Sequence, residues 1–177
     1  MVNGNAIAPV EKYDLTPDDL NIPFQTIALQ TPDECTLQAW YMPALTSLGR
    51  NVTIVIANSD AGNMGDVLPY AIELYRKGYD VLTFDYRGFG ASDSYDYHPD
   101  ALYLDEYRTD FQTAIRWLKK RQPEREICVL SFSMGTWVAA TSHSITPFDY
   151  FVGEAVIYRP DLIIERIQES NDTSVLL

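Results

Sequence analysis

Histidine and cysteine are scarce in this 177-residue sequence, which contains two of each. Cys128 falls inside a predicted buried strand, so we expect no disulfide framework. No cluster of histidine, cysteine and acidic residues has the spacing of metal ligands, so we expect no metal site. His98 and His143 are the only side chains here of the type that most often serves as a general base.

Basic residues are also few, with 13 lysines and arginines against 25 acidic residues and a formal net charge of -12. This balance argues against a nucleic-acid partner and against binding to an anionic membrane surface. No apolar run approaches the ~18 residues of a membrane span. The N-terminus has no basic region followed by an apolar core, so we expect no signal peptide and a cytoplasmic location.

What the sequence does contain is a regular succession of apolar patterns. Two alternating segments joined by a short turn predict an antiparallel hairpin. Continuous apolar runs typical of strands buried on both faces then alternate with helical patterns. The predicted strands are residues 24–29, 36–42, 52–57, 81–84, 127–130 and 151–158, and the predicted helices are residues 68–75, 104–121, 134–143 and 162–168. Residues 1–21 are expected to form an irregular lead-in, 22–160 the core, and 161–177 a C-terminal helix and tail.

This order predicts an α/β protein with a mainly parallel sheet, an N-terminal antiparallel hairpin and helices on both faces. Ligands of such sheets bind at the carboxyl ends of the strands. Three predicted loops meet at that edge, at residues 58–65, 85–100 and 131–135. We therefore expect the functional site among these three loops.

The pattern Ser131-x-Ser133-x-Gly135 lies between a buried strand and a helix. A chain that turns sharply from strand to helix around one serine needs small neighbours two positions away on either side. This is the logic of the nucleophile elbow, in which the strained turn exposes the serine hydroxyl. The helix behind it would offer backbone N–H groups to a developing oxyanion.

These segments together resemble the α/β-hydrolase superfamily, in particular its peptidase S33-like or BAAT/FrsA-like serine hydrolases. Residues 78–92 are very similar to the strand-and-loop signature of that branch, and residues 58–63 resemble its His-Gly-Asn-Ala-Gly-Asn oxyanion loop. Residues 15–20 resemble its lead-in, and residues 131–135 fit its elbow. The resemblance covers residues 15–158 and implies an α/β-hydrolase fold whose last two strands are missing from this sequence.

Carried over by position, the resemblance implies that Ser133 is the nucleophile. It implies that the backbone N–H groups of Met134 and Asp60 form the oxyanion hole. A carboxylate at position 60 would oppose an oxyanion unless its side chain points away.

The acid and the base are less clear, because the histidine of this fold normally follows the last strand. His98 lies on a loop at the active-site edge and is a candidate base. Asp161 follows the sixth strand, from which some family members supply the acid, although its position favours a plain helix N-cap. His143 is expected at the C-terminal end of the elbow helix, too far away to act.

The resemblance implies a serine hydrolase that acts on a small-molecule carboxylic ester, thioester or amide through an acyl-enzyme. The alternatives are a catalytically inactive module that binds an acyl ligand or a protein partner, and a non-functional remnant. A sheet that ends in an apolar edge strand also predicts a homodimer paired through that edge.

No cofactor is expected, because the glycines at positions 88 and 90 lack the third small residue of a dinucleotide-binding loop. Asp85, Arg87 and Asp110 are interpreted as structural residues, with Asp110 on a helix surface.

Overall fold

The computed structural model describes residues 7–45, 49–98, 101, 103–157 and 159. Within these residues eight strands and three α-helices follow one another along the chain. The strands are β1 (Ala8–Pro9), β2 (Gln25–Gln30), β3 (Thr36–Met42), β4 (Val52–Ala57), β5 (Ala61–Gly62), β6 (Asp80–Phe84), β7 (Glu126–Phe132) and β8 (Tyr150–Glu154). The helices are α1 (Leu68–Arg76), α2 (Leu104–Arg121) and α3 (Met134–Ser142). The predicted residues 161–177, including Asp161, lie outside the described part.

Six strands form one sheet in the order β2-β3-β6-β4-β7-β8. The hairpin of β2 and β3 is antiparallel, and β3 also pairs antiparallel with β6. The strands β6, β4, β7 and β8 are parallel to one another. The predicted fold class is confirmed, and the carboxyl ends of four parallel strands meet at one edge of the sheet.

The sheet separates two apolar clusters, because successive side chains of a buried strand point to opposite faces. In β4, Val55 and Ala57 belong to the cluster shared with α2 and α3, whereas Ile54 and Ile56 belong to the cluster shared with α1. Helices therefore cover both faces of the central strands. This explains why the central strands are continuous apolar runs rather than alternating ones.

The N-terminal segment is more ordered than predicted. The strand β1 pairs in parallel with β5, and residues Asp18–Leu20 form a short 3-10 helix. Two-residue strands have no periodicity that a sequence could reveal, which explains the difference. This segment lies against the loop that follows β4 and so bears directly on the site.

The last described strand is shorter than predicted. The predicted strand of residues 151–158 begins one residue earlier, at Tyr150, and ends at Glu154. Ala155 has a φ of 54°, a left-handed conformation that cannot continue a strand. The strand lies at the sheet edge, as predicted, and all five of its residues are exposed.

The described residues show neither a membrane-spanning helix nor a cluster of metal ligands. None of the described helices combines the length and the apolar character needed to cross a membrane. In the same part of the chain, no group of three or more histidine, cysteine and acidic side chains could hold a metal ion.

Candidate active site

The turn from β7 into α3 passes through a single residue, Ser133. Its backbone has a φ of 48° and a ψ of -118°, a conformation that a residue with a Cβ atom rarely adopts. Such strain costs on the order of 1–3 kcal/mol and persists only where the surrounding structure imposes it. The N–H of Ser133 donates to the carbonyl of Glu154 at 3.0 Å. The predicted elbow is present, and its serine is half-buried at the carboxyl edge of the sheet.

Gly135 permits this turn because α3 passes very close to the end of β4. A Cβ atom at position 135 would lie 2.3 Å from the carbonyl oxygen of Ala57 and 2.5 Å from that of Asn58. Both atoms belong to the backbone of the central strand and the loop after it, so neither can move aside cheaply. The glycine therefore brings the start of the helix against the loop that follows β4.

Ser131 replaces the first glycine of the usual elbow pattern. It is fully buried, and its Oγ donates to the carbonyl of Val152 at 3.2 Å. The serine therefore fits because it is small and because the edge strand β8 supplies an acceptor for its hydroxyl. Substitution of a glycine by a serine at this position is compatible with the elbow geometry.

Met134 is the first residue of α3 and is buried. The first N–H groups of a helix have no partner within the helix, and its dipole places partial positive charge there. The carbonyl of Ser133 also has a partner, because the Oγ1 of Thr136 donates to it at 2.6 Å. The chain after β8 returns to this point, where the N–H of Ile157 donates to the same Oγ1 at 3.0 Å.

The loop between β4 and α1, predicted as the oxyanion loop, is held by its two asparagines. Asn58 Nδ2 donates to the carbonyl of Asn63 at 2.8 Å, and Asn58 Oδ1 accepts from the N–H of Ser59 at 2.8 Å. Asn63 Oδ1 accepts from the N–H of Gly65 at 2.9 Å. Asn58 occupies the position of the histidine in the His-Gly-Asn-Ala-Gly-Asn loop that this segment resembles. Its hydrogen bonds here stabilise the conformation of the loop.

The N-terminal segment is hydrogen-bonded to this loop through its backbone. The N–H of Ala8 donates to the carbonyl of Asp60, and that of Val10 donates to the carbonyl of Gly62, both at 2.9 Å. Asn63 Nδ2 also donates to the carbonyl of Val10, at 3.1 Å. These contacts were not predicted, and the short apolar run of residues 6–10 is the only sequence signal that could have indicated them.

Asp85, at the end of β6, joins three segments around the same loop. Its carboxylate accepts from the N–H of Met64 at 2.6 Å and from the Tyr13 hydroxyl. Tyr13 in turn accepts from the N–H of Ala91 at 2.9 Å. Burial raises the pKa of Asp85 to about 6, and burial also raises the pKa of Tyr13. The interpretation of Asp85 as a structural strand-end carboxylate agrees with these contacts.

Arg87 and Asp110 form a buried ion pair behind the loop that follows β6. Arg87 Nη2 lies 2.7 Å from Asp110 Oδ1, and Arg87 Nη1 lies 2.7 Å from Asp33 Oδ2. Hydrogen bonding to Arg87 lowers the pKa of Asp33 to about 2. Asp110 is 0% exposed, so its assignment to a helix surface was wrong. Sequence periodicity missed it because a buried carboxylate with an arginine partner looks like any other polar helix position.

Asp60 lies opposite the elbow, and its side chain faces the serine. Ser133 Oγ lies 3.4 Å from Asp60 Oδ1, a long hydrogen bond in which the hydroxyl donates. The oxyanion loop therefore reaches the predicted nucleophile, as the sequence indicated. The sequence left open whether the carboxylate points away, and the structure directs it to the hydroxyl.

The predicted acid and base groups are not all brought to the serine. His98 is exposed on the loop after β6, where its N–H donates to the Tyr103 hydroxyl at 2.7 Å. His143 follows α3, so the helix separates it from Ser133 by ~14 Å. The role of His98 remains a prediction, and Asp161 lies outside the described residues.

Several surface cavities lie away from the elbow. One of about 250 Å³ lies between β2 and α2, and one of about 280 Å³ lies beside His143 at the start of β8. The second cavity lies toward the amino ends of the parallel strands, away from their carboxyl ends. It is lined by Tyr150, the first residue of β8, which runs parallel to β7 and pairs there with Cys128. The site is therefore assigned from chemistry and backbone geometry rather than from cavity volume.

A mainly parallel sheet with a strained strand–serine–helix turn facing a small-residue loop defines an α/β-hydrolase fold. The family model described as serine aminopeptidase, S33 matches residues 51–158. The chain belongs to this family of α/β-hydrolases, which confirms the S33-like resemblance.

Relatives and solved structures agree with this assignment. The chain is 32% identical over 127 residues to protein bem46 of Schizosaccharomyces pombe, covering 70% of this chain and 40% of bem46. It is 32% identical to the mouse (Mus musculus) lysophosphatidylserine lipase ABHD12, covering 58% of this chain and 24% of the lipase. Its structure matches that of the Pyrococcus furiosus esterase Pf2001 with a TM-score of 0.71 and 25% identity, covering 84% of this chain and 55% of the esterase. The chain thus spans about half or less of the length of these relatives.

Proposed function

We propose that this chain carries the nucleophile and oxyanion hole of a serine hydrolase acting on a small-molecule carboxylic ester, thioester or amide. The proposal rests on the backbone conformation of Ser133. Its φ of 48° is strained, and this strain lies at the turn between strand and helix. Strain of this kind concentrates at functional sites, and here it lies at the carboxyl edge of the sheet, where ligands of this fold class bind.

Each chemical part of the proposal has a supporting contact. Ser133 Oγ is half-buried and faces the loop after β4. The N–H of Met134 is the first of α3, which suits it to receive a developing negative charge. The N–H of Asp60 is proposed as the second donor, because the adjoining contacts of β1 with β5 fix the loop that carries it.

The proposed reaction is nucleophilic acyl transfer. Ser133 Oγ forms a bond to the carbonyl carbon, a base takes the hydroxyl proton, and the carbonyl electron pair moves onto its oxygen between the two N–H groups. Collapse expels the alcohol, thiol or amine, which takes the proton from the base, and leaves an acyl-enzyme; water, deprotonated by the same base, then releases the acid and restores the serine hydroxyl. The names of two relatives, a lipase and an esterase, support ester substrates for this chain.

A fluorophosphonate probe tests the proposal, because it modifies a serine only when that serine is activated. We expect the folded protein to be labelled once, at Ser133, as located by peptide mass spectrometry. Ser133→Ala removes the labelling, whereas Ser94→Ala, which changes an exposed loop serine, leaves it intact. Labelling that survives Ser133→Ala would refute the assignment of the nucleophile.

A catalytically inactive module that binds an acyl ligand or a protein partner is the second candidate. The positions of the histidines favour it, since His143 is at the far end of α3 and His98 is exposed beside Tyr103. Loss of the base of a serine hydrolase costs several orders of magnitude in rate. The two candidates are separated by the same probe, because a binding module would take up an acyl ligand in equilibrium dialysis without being labelled.

A further inference from the structure

The N-terminal segment follows the proposed oxyanion loop along its length. The N–H of Ala8 donates to the carbonyl of Asp60 at 2.9 Å, at the beginning of the loop. The N–H of Val10 donates to the carbonyl of Gly62 at 2.9 Å. Asn63 Nδ2 then donates back to the carbonyl of Val10 at 3.1 Å. The position of the loop, and with it that of the proposed oxyanion donor, therefore depends on where this segment lies.

The segment is anchored at Tyr13. The hydroxyl of Tyr13 donates to the buried carboxylate of Asp85 and accepts from the N–H of Ala91 at 2.9 Å. The same carboxylate accepts from the N–H of Met64, at the end of the oxyanion loop, at 2.6 Å. One buried carboxylate thus joins the N-terminal segment both to the loop after β6 and to the loop that carries Asp60.

The position of the Tyr13 side chain is closely defined. Gly90 has a φ of 50°, and a Cβ atom there would lie 2.5 Å from the Tyr13 hydroxyl oxygen. The N–H of Gly90 also donates to the carbonyl of Val10 at 3.1 Å. On the other side, the ring of Tyr13 packs against that of Trp40, with ring centroids 4.7 Å apart. The hydroxyl therefore has one well-defined place, which suits it to hold the segment.

An oxyanion hole is effective because its donors are in place before the charge develops. A misplacement of about 1 Å, even when its cause lies far from the reacting atoms, can lower a rate on the order of 100-fold. We propose that Tyr13 is a positioning residue, which sets the place of the Asp60 N–H through the N-terminal segment. This inference rests on the proposed hydrolase function. Tyr13 acts through the loop and takes no part in making or breaking bonds.

The strand β6 supplies a matched control, because a buried carboxylate stands at each of its ends. Asp80, its first residue, accepts from the hydroxyl of Tyr41. Asp85, which follows its last residue, accepts from the hydroxyl of Tyr13. Each of the variants Tyr13→Phe and Tyr41→Phe removes one such hydroxyl and keeps the ring. A role in stability alone predicts similar effects of both variants on activity, whereas a positioning role predicts an effect of Tyr13→Phe only.

The first test is the rate of fluorophosphonate labelling of Ser133 in these two variants. We expect Tyr13→Phe to lower the rate at least about 10-fold, since a lost oxyanion donor costs about 10²–10³-fold and a displaced donor costs part of that. Tyr41→Phe should stay within about twofold of wild type, because its hydrogen bond lies at the amino ends of the parallel strands. Circular dichroism verifies that each variant is folded.

Steady-state hydrolysis of p-nitrophenyl acetate separates positioning from substrate binding. The oxyanion exists only in the transition state and the tetrahedral intermediate, so a displaced donor lowers kcat. We expect Tyr13→Phe to lower kcat at least about 10-fold and to leave KM within about twofold of wild type. An increase in KM at unchanged kcat would contradict the proposal.

Amide hydrogen exchange, followed by NMR, tests the positioning without any reaction. When the anchor is removed, the N–H groups of Ala8 and Val10 should exchange at least about 10-fold faster, because the segment opens more often from the loop. In Tyr41→Phe the exchange of these two groups should equal that of wild type. A fall in labelling without faster exchange in Tyr13→Phe would overturn the route through the N-terminal segment.

The outcomes separate this proposal from the proposed function. Labelling of wild-type Ser133 with an unchanged rate in Tyr13→Phe would overturn Tyr13 as a positioning residue and leave the hydrolase function standing. Equal losses in Tyr13→Phe and Tyr41→Phe would also overturn it, because they would assign both hydroxyls to stability. No labelling of Ser133 in the folded wild-type protein would overturn the hydrolase function and the positioning role together.

Discussion

The surroundings of Ser133 and the outer strand β8 differ in how completely the chain encloses them. Around Ser133, the loop after β4 is joined to the N-terminal segment by backbone hydrogen bonds and to the end of β6 by the buried carboxylate of Asp85, and Gly135 brings the elbow close to the same loop. By contrast, all five residues of β8 are exposed, including Tyr150, Phe151 and Val152 at 51%, 42% and 54%. The comparison teaches that the geometry of the site depends on the central strands, whereas β8 contributes little more than two carbonyl acceptors.

In the enclosed region, we expect the largest loss of stability when a buried charge is removed. Asp110→Ala leaves the guanidinium of Arg87 buried without its most buried partner, and we expect a loss of about 3–5 kcal/mol in the free energy of unfolding. Urea denaturation measures it. Asp33→Ala removes the partner whose side chain is 48% exposed and should cost about 1 kcal/mol or less. Equal losses in the two variants would contradict the buried position of the pair.

Titration of Asp85 is the next largest effect. The folded pKa of about 6 lies above the reference value of 3.8, so the protonated side chain favours the folded state. Its contribution is fully present below about pH 4 and is lost as the pH rises through 6. We expect the stability of wild type relative to Asp85→Asn to fall by about 3 kcal/mol between pH 3.5 and pH 6.5, measured by urea denaturation. A difference that stays constant with pH would contradict this.

A matched pair of glycine substitutions sharpens the comparison between the two regions. At position 135 a Cβ atom meets backbone oxygens at 2.3 and 2.5 Å, so Gly135→Ala should cost about 1–3 kcal/mol and slow probe labelling of Ser133. At position 153 in β8 the nearest atoms are side-chain atoms at 3.3 Å, so Gly153→Ala should change the melting temperature little. Thermal denaturation of both variants checks this, and the reverse order would show that the tight packing lies at β8.

The smallest expected effect on folding concerns β8 itself. The predicted pairing of two copies through this edge remains a proposal, supported by the outermost position of β8 among the described strands and by its exposed apolar side chains. Val152→Lys should abolish concentration-dependent association in sedimentation velocity, with a change of less than about 0.5 kcal/mol in the stability of the monomer. A wild-type chain that sediments as a monomer at all concentrations would exclude the pairing.

Much of this fold could be predicted from apolar patterns within short segments of the sequence. Strands such as residues 52–57 are continuous β-branched runs, and α2 shows a clear helical stripe, so both were predicted with their observed boundaries. The elbow was predictable because a turn of that geometry needs small residues at fixed positions. These features depend on the period of the backbone and on steric limits, which a single sequence contains.

Other features depend on contacts between distant residues and were missed. The burial of Asp110 requires Arg87, which is 23 residues away, and the order of the lead-in requires the loop that contains Asp60. The end of β8 is set by the left-handed conformation of Ala155, which no residue type there demanded. The direction of the Asp60 side chain is a matter of three-dimensional geometry, and no spacing in the sequence could have indicated it.

The central claim is that Ser133 attacks an acyl carbon whose oxygen then lies between the N–H groups of Met134 and Asp60. A crystal structure of the protein after reaction with a fluorophosphonate measures this most directly. The account predicts phosphorus bonded to Ser133 Oγ, with the phosphoryl oxygen about 2.7–3.1 Å from both backbone nitrogens. An adduct whose phosphoryl oxygen faces solvent, or no adduct at Ser133 at all, would contradict it.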